Sequence, residues 1–293
     1  MKIIIFGAAG QVGTDCVRAL QATDHQLIAL TRKQADFCEP QQVYQCVVEL
    51  KPDFVINACA YTAVDKAEDE PERANRVNCE SVEQLAKACR QYNIPLLHMS
   101  TDYVFAGDAT LPYREQDPVH AQGVYGRSKL AGEQAVQTLL ERFIILRTSW
   151  VFGEHGNNFV KTMLRVGANC EQLKVVDDQL GRPSYVGHIV SAILFFVNRF
   201  ATLKALPWGI YHCSSEGQVT WHGFAEAIFD MAMERNVLEK RPEVIAIPTS
   251  EYPTATPRPA YSVLSTDKLT ALMGRPMPHW REGLARFLTL TKA

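Results

Sequence analysis

Short apolar, β-branched runs alternate with helical patterns from the first residues onward, and this alternation constrains the fold more than any other feature. The runs cover residues 2–6, 26–30, 54–58, 96–100 and 143–147, and helical patterns fill 11–20, 41–50, 72–92 and 125–141. Strand, helix and strand in succession predict parallel pairing with helices on both faces. The runs are apolar along almost their whole length, as strands buried on both faces must be. The expected class is α/β, a doubly wound parallel sheet of Rossmann type. After about residue 150 the rhythm loosens, with helical patterns at 159–166 and 224–234 and strands at 173–176 and 209–213. We expect residues 1–150 to form the sheet domain, with later segments returning to it, and 151–293 to form mostly a smaller C-terminal substrate-binding lobe.

Composition narrows the function. Acids outnumber bases 32 to 30, a formal charge of −2, so nothing in the balance suits a run of phosphates and nucleic acid is not expected as a partner. The eight cysteines form no CxxC pair; reduced thiols in a cytoplasmic protein are expected, with no metal site. The apolar run at 189–197 is half a membrane span, so no membrane insertion is expected either.

The first strand runs into Gly7-Ala8-Ala9-Gly10-Gln11-Val12-Gly13, a GxxGxxG turn opening a helix. Glycines permit the tight turn and close approach of the backbone, and the helix N-terminus offers N–H groups to a pyrophosphate. Tight packing at a turn is the bland alternative; the strand–turn–helix context favours an NAD(P)-binding domain. The second strand ends Leu30-Thr31-Arg32-Lys33. No acid is present there to hold an adenosine ribose, and Arg32 suits a 2′-phosphate, so NADPH is expected ahead of NADH. Asp36 and Phe37 lie at a distance suited to the adenine edge, or serve as a turn acid and a core aromatic.

Tyr125 and Lys129 are four residues apart, on one face of the helix they begin. An ammonium beside a phenol lowers its pKa from about 10 and readies it to protonate a carbonyl oxygen. Upstream, Ser100-Thr101-Asp102 follows an apolar strand, at the edge where open α/β sheets bind ligands. A hydroxyl there polarises a carbonyl, and strand alternation lets one of Ser100 and Thr101 face the reaction.

The combination GAAGQVG (7–13), NACAYTAVDKAE (57–68), STDYVF (100–105), YGRSK (125–129), RTSWVFG (147–153), NNFVKTML (157–164), DQLGRPS (178–184) and RPAYSVLST (258–266) resembles the dTDP-4-dehydrorhamnose reductase family of extended short-chain dehydrogenases/reductases. The resemblance implies NADPH-dependent reduction of the C4 keto group of a dTDP-4-dehydro-6-deoxy sugar, with Tyr125 as proton donor, Lys129 as its partner and as a ribose contact, and Thr101 tuning the carbonyl. It places the dinucleotide against Gly7, Gly10, Gln11, Val12, Gly13, Thr31, Arg32, Asp36, Phe37, Ala60, Tyr61 and Thr62. The sugar falls against Thr101, Asp102, Tyr125 and Trp150, with Trp150 otherwise a core residue of a strand running to residue 151. Lys161, Arg182 and Arg258 are candidates for its pyrophosphate, or surface cations, and Asn157 and Asn158 are sugar contacts or a helix cap. Some members of the family form a magnesium-bridged homodimer. Here Asp15 is acidic but Gly187 stands where a second acid is expected, so a homodimer is an open expectation and a metal is not expected. The rivals are a related nucleotide-sugar 4-keto-reductase and a non-catalytic subunit like the regulatory subunit of methionine adenosyltransferase. The second has no chemical need for Thr101, Tyr125 and Lys129 together.

Overall fold

The computed structural model describes residues 1–291. Six parallel strands form the central sheet: β1 (Lys2–Phe6), β2 (Gln26–Leu30), β3 (Phe54–Asn57), β4 (Leu96–Thr101), β5 (Phe143–Thr148) and β6 (Gly209–His212). Their order is β6-β5-β4-β3-β1-β2, so the winding reverses between β1 and β3. That reversal opens a crevice at the carboxyl ends of the two strands, the place where such sheets take ligands.

Successive residues of β1 point to opposite faces and build two cores. Ile3 and Ile5 pack with Leu20 of the helix Gln11–Gln21 and with Ile189, Ile193 and Phe196 of the helix Val186–Leu203. Ile4 and Phe6 pack with Val43, Val47, Leu85 and Val136 from the helices Pro40–Leu50, Ser81–Gln91 and Val124–Leu139. The helix Val186–Leu203 is long and apolar enough to cross a membrane; in this fold its buried side covers the sheet.

A third core surrounds Phe152, with Phe224, Phe229, Trp280 and Phe287. It joins the helices Phe159–Gly167, Trp221–Glu234 and Trp280–Thr291 to the strand Gln172–Val176, which pairs in parallel with Glu243–Ile247. All eight cysteines are free thiols, and Cys16, Cys89 and Cys213 are buried while the other five are half-buried.

One expected element is interrupted. The pattern at 72–92 becomes the helix Pro71–Asn75, a wide π-turn at Arg76–Glu80 and the helix Ser81–Gln91. In the π-turn, the Asn78 side chain accepts the Tyr61 N–H (2.9 Å) and donates to the Tyr61 carbonyl (3.1 Å) and the Ser128 hydroxyl (3.0 Å). The strand expected over 143–147 is observed at Phe143–Thr148, and the chain turns at Trp150, whose φ of +46° rules out the alternative in which that strand runs on to residue 151. Val151–Phe152 then pairs with Ser184–Tyr185 in the second lobe.

Candidate active site

The glycine turn sits at the crevice between β1 and β3. Gly7 has φ +77°, and a Cβ there would lie 2.7 Å from the Ala58 backbone, so only glycine lets the strands approach this closely. A Cβ at Gly13 would meet the Gly7 carbonyl at 2.0 Å, so the helix starts hard against the turn. Its first turn carries no acid, and its N-cap Gly10 offers no side-chain cap. The N–H groups at this end therefore remain open to an anion.

Beside the turn lies a cavity of about 420 Å³ lined by Gly7, Gly10, Thr31, Arg32, Asp36, Phe37, Ala60 and Tyr61. Asp36 and Phe37 have structural duties as well: an Asp36 carboxylate oxygen accepts the Cys38 N–H (2.8 Å), and Phe37 packs edge-on to Phe6 at 5.5 Å. The Thr31 hydroxyl is bonded to Gln34 within its own turn.

Three of the remaining expected contacts have structural duties as well, and a fourth stands off this cavity. Gln11 accepts a hydrogen bond from Asn158 (2.8 Å) and so reaches the second lobe. Val12 packs on the first core, Gly13 serves helix packing, and Thr62 is exposed and absent from the cavity wall. Arg73 joins Arg32 on that wall and escaped the sequence reading, because it sits 41 residues further on in a pattern that reads as solvated helix.

At the carboxyl end of β4, Thr101 donates to Asp102 Oδ1 (2.9 Å) and accepts the Tyr103 N–H (3.2 Å). Asp102 Oδ2 is buried without a partner, as is the Ser100 hydroxyl. Burial pushes the Asp102 carboxyl up to about 7, with the Thr101 hydroxyl opposing the rise. Tyr125 and Lys129 lie in the helix Val124–Leu139, 8% and 2% exposed.

Burial raises the Tyr125 phenol to about 12, opposed by the hydroxyl of Thr101. This corrects the expectation that the lysine lowers it. The Lys129 ammonium is held by the Met99 carbonyl (2.7 Å), and burial lowers Lys129 itself to about 8 although Glu133 favours its charge. Glu133 is occupied by Arg147, at 2.7 and 2.9 Å. A phenol at this pKa keeps its proton through the neutral range.

A second cavity, about 500 Å³, opens beside Asp102 and is lined by Trp150, Phe159, Gln179, Trp221 and Arg258 among others. Trp150 stacks on Trp221 with centroids 3.5 Å apart and planes at 8°. Gly181 makes room for it, since a Cβ there would lie 2.4 Å from the indole. Trp150 is thus a wall of the cleft, and the core-strand alternative is wrong. Trp221 and Phe159 were not foreseen, because an isolated aromatic at a helix start carries no spacing signal.

Of the three candidate cations only Arg258 lines this cleft, where it pairs with Asp65. Lys161 is tied to the Glu154 and Gly156 carbonyls and Arg182 to Glu216. Asn158 is the cap of its helix, accepting the Lys161 N–H at 3.1 Å.

The profile of the family described as "RmlD substrate binding domain" matches residues 1–292. A dTDP-4-dehydrorhamnose reductase of Aggregatibacter actinomycetemcomitans is 42% identical over 97% of both chains. That of Salmonella typhimurium is 41% identical over 99% of this chain and 97% of its own. The crystal structure of dTDP-4-dehydrorhamnose reductase from Bacillus anthracis in complex with NADP superposes with a TM-score of 0.91 at 36% identity, covering 99% of each chain. Sequence and fold agree over essentially the full length, and the chain belongs to the RmlD family, that of the dTDP-4-dehydrorhamnose reductases.

Proposed function

We propose that this protein reduces the C4 keto group of dTDP-4-dehydro-L-rhamnose to give dTDP-L-rhamnose, with NADPH as cofactor. The observation that carries the reading is the placement of the buried Tyr125 phenol with the Thr101 hydroxyl and Asp102 at the end of β4, beside a cleft of hexose-nucleotide size. NADPH fits the residues present: an uncapped helix N-terminus faces the glycine turn, and Arg32 and Arg73 stand on the wall of the adjoining cavity where an adenosine 2′-phosphate needs cations. When bound, it supplies the hydride to the keto carbon.

The remaining steps belong to the chain. Tyr125 gives its proton to the sugar oxygen as charge develops there. On substrate binding the Thr101 hydroxyl turns its one hydrogen from Asp102 Oδ1 toward the same oxygen, and Asp102, with one unpartnered carboxylate oxygen, accepts from a sugar hydroxyl. Lys129 supplies positive charge beneath the phenol and a contact for the ribose. Trp150 offers a flat apolar face to the hexose ring. On this reading residues 1–150, completed by later segments, bind the cofactor, and most of 151–293 bind the dTDP-sugar.

Tyr125→Phe tests the assignment. NADPH binding, followed by cofactor fluorescence, is expected to be retained while turnover falls at least about a hundredfold, the scale of general-acid catalysis. Turnover at the parental rate would remove Tyr125 from the mechanism. A talo-configured product in the NMR spectrum would remove the rhamnose assignment.

A further inference from the structure

His98 is fully buried in the middle of β4 and has no part in the chemistry above. Its hydrogen bonds determine where its proton sits. Asn57, its register partner on β3, accepts the Cys59 N–H through Oδ1 at 3.0 Å. This fixes the amide's orientation and turns Nδ2, a donor, toward His98 Nδ1 at 3.0 Å. Nδ1 must therefore accept. Burial and the nearby Lys129 charge hold the ring neutral, its pKa well below the usual value. A neutral imidazole with Nδ1 accepting carries its hydrogen on Nε2. That nitrogen lies 3.4 Å from Lys129 Nζ.

We infer that His98 is a positioning residue for the reductase: locked by Asn57 in the Nε2–H tautomer, it confronts Lys129 with a donor and leaves the lysine's hydrogens only the Met99 carbonyl and the side facing the cofactor and Tyr125. The inference rests on the proposed role of Lys129 as the phenol's partner. An ammonium cannot donate to a nitrogen that is itself donating, so β4 offers Lys129 one acceptor, the Met99 oxygen at 2.7 Å. The N–H dipole also disfavours the charged amine, in the same direction as the lowered Lys129 pKa.

The other groups facing Lys129 are the Cys59 thiol after β3, kept neutral because burial raises it to about 11, and Glu133 on its own helix, whose charge favours the ammonium. Glu133 is largely satisfied by Arg147. Around the phenol the neighbours are Thr101, Asp102 and Tyr103. His98 is thus the group near Lys129 whose proton placement a single substitution reverses. In Asn57→Asp a carboxylate accepts from Nδ1–H, and Nε2 becomes an acceptor for the ammonium.

Long-range 1H–15N correlation spectra of the full chain, with and without NADPH, read the tautomer directly. We expect His98 as neutral Nε2–H with no titration between about pH 6 and 9. In Asn57→Asp the ring should switch to Nδ1–H, and the upper limb of the kcat pH profile should move up by about one unit or more, because the Nε2 acceptor and the added carboxylate both favour the ammonium.

An Nδ1–H or titrating His98 in the parent would overturn the inference. So would a switched tautomer in Asn57→Asp with the limb unmoved. If that variant does not fold, the parent spectrum decides alone. Failure of the underlying mechanism has a different signature: Tyr125→Phe stays active while the parent's tautomer remains Nε2–H.

Discussion

Asp102 carries a cost that the pH dependence of folding should report. Its carboxyl is shifted from an ordinary 3.8 to about 7 by burial. Between those values the folded chain holds a proton that the unfolded chain has released, so stability falls as pH rises through the window. One such proton is worth up to about 1.4 kcal/mol per pH unit. Asp102→Asn removes the slope: its urea midpoint should match the parent near pH 4 and exceed it near pH 8. An equal shift at both pH values would mean that the carboxyl is ionised in the native state.

The sequence made the Thr101, Tyr125 and Lys129 constellation readable because each residue is tied to an element boundary or a four-residue spacing. The direction of the phenol's shift was not readable, since burial is a property of the whole fold. His98 did leave a trace, a polar residue set among Leu96, Leu97 and Met99, but its role depends on Asn57, 41 residues away.

At the scale of elements, the helix Val124–Leu139 is held by close approach. A Cβ at Gly132 would lie 2.1 Å from the Asn78 carbonyl of the π-turn. Gly132→Ala gains about 1 kcal/mol of helix propensity but forces apart two backbones that also fix Tyr61 and Ser128. We expect a net loss of about 1–3 kcal/mol, the range for overpacking, measured by urea unfolding. A stabilised variant would show that the π-turn yields freely.

Period and propensity foretold an unbroken helix over 72–92. It was interrupted where a tertiary contact outweighed local preference, at Asn78, which ties the π-turn to Tyr61 and Ser128. The start of the helix Val124–Leu139 is likewise secured from afar, by Glu68, which accepts the Val124 N–H at 2.8 Å.

Across the whole molecule, the same Glu68 oxygen accepts the Thr256 hydroxyl at 3.2 Å, and Thr256 N–H donates to Asp65, which also pairs with Arg258. This links the segment bearing Tyr252 and Pro253, on the rim of the larger cavity, to the helix that carries Tyr125. Thr256→Val removes the hydroxyl at nearly constant volume. It should raise KM for the dTDP-sugar about tenfold, the worth of roughly one buried hydrogen bond, with NADPH affinity unchanged. Unaltered sugar KM would show that the tie does not shape the cleft.

The winding of the sheet was legible from alternation. The partner of β5 was not, because nothing local in residues 209–212 says that they cross back. That return governs how the protein can be made. A nascent chain released to residue 150 has an unpaired β5 flank, and one oily side of its sheet still awaits the helix Val186–Leu203. The sheet closes only after two thirds of the polypeptide has left the ribosome. Until then the unpaired β5 edge is a template for strand addition by neighbouring chains.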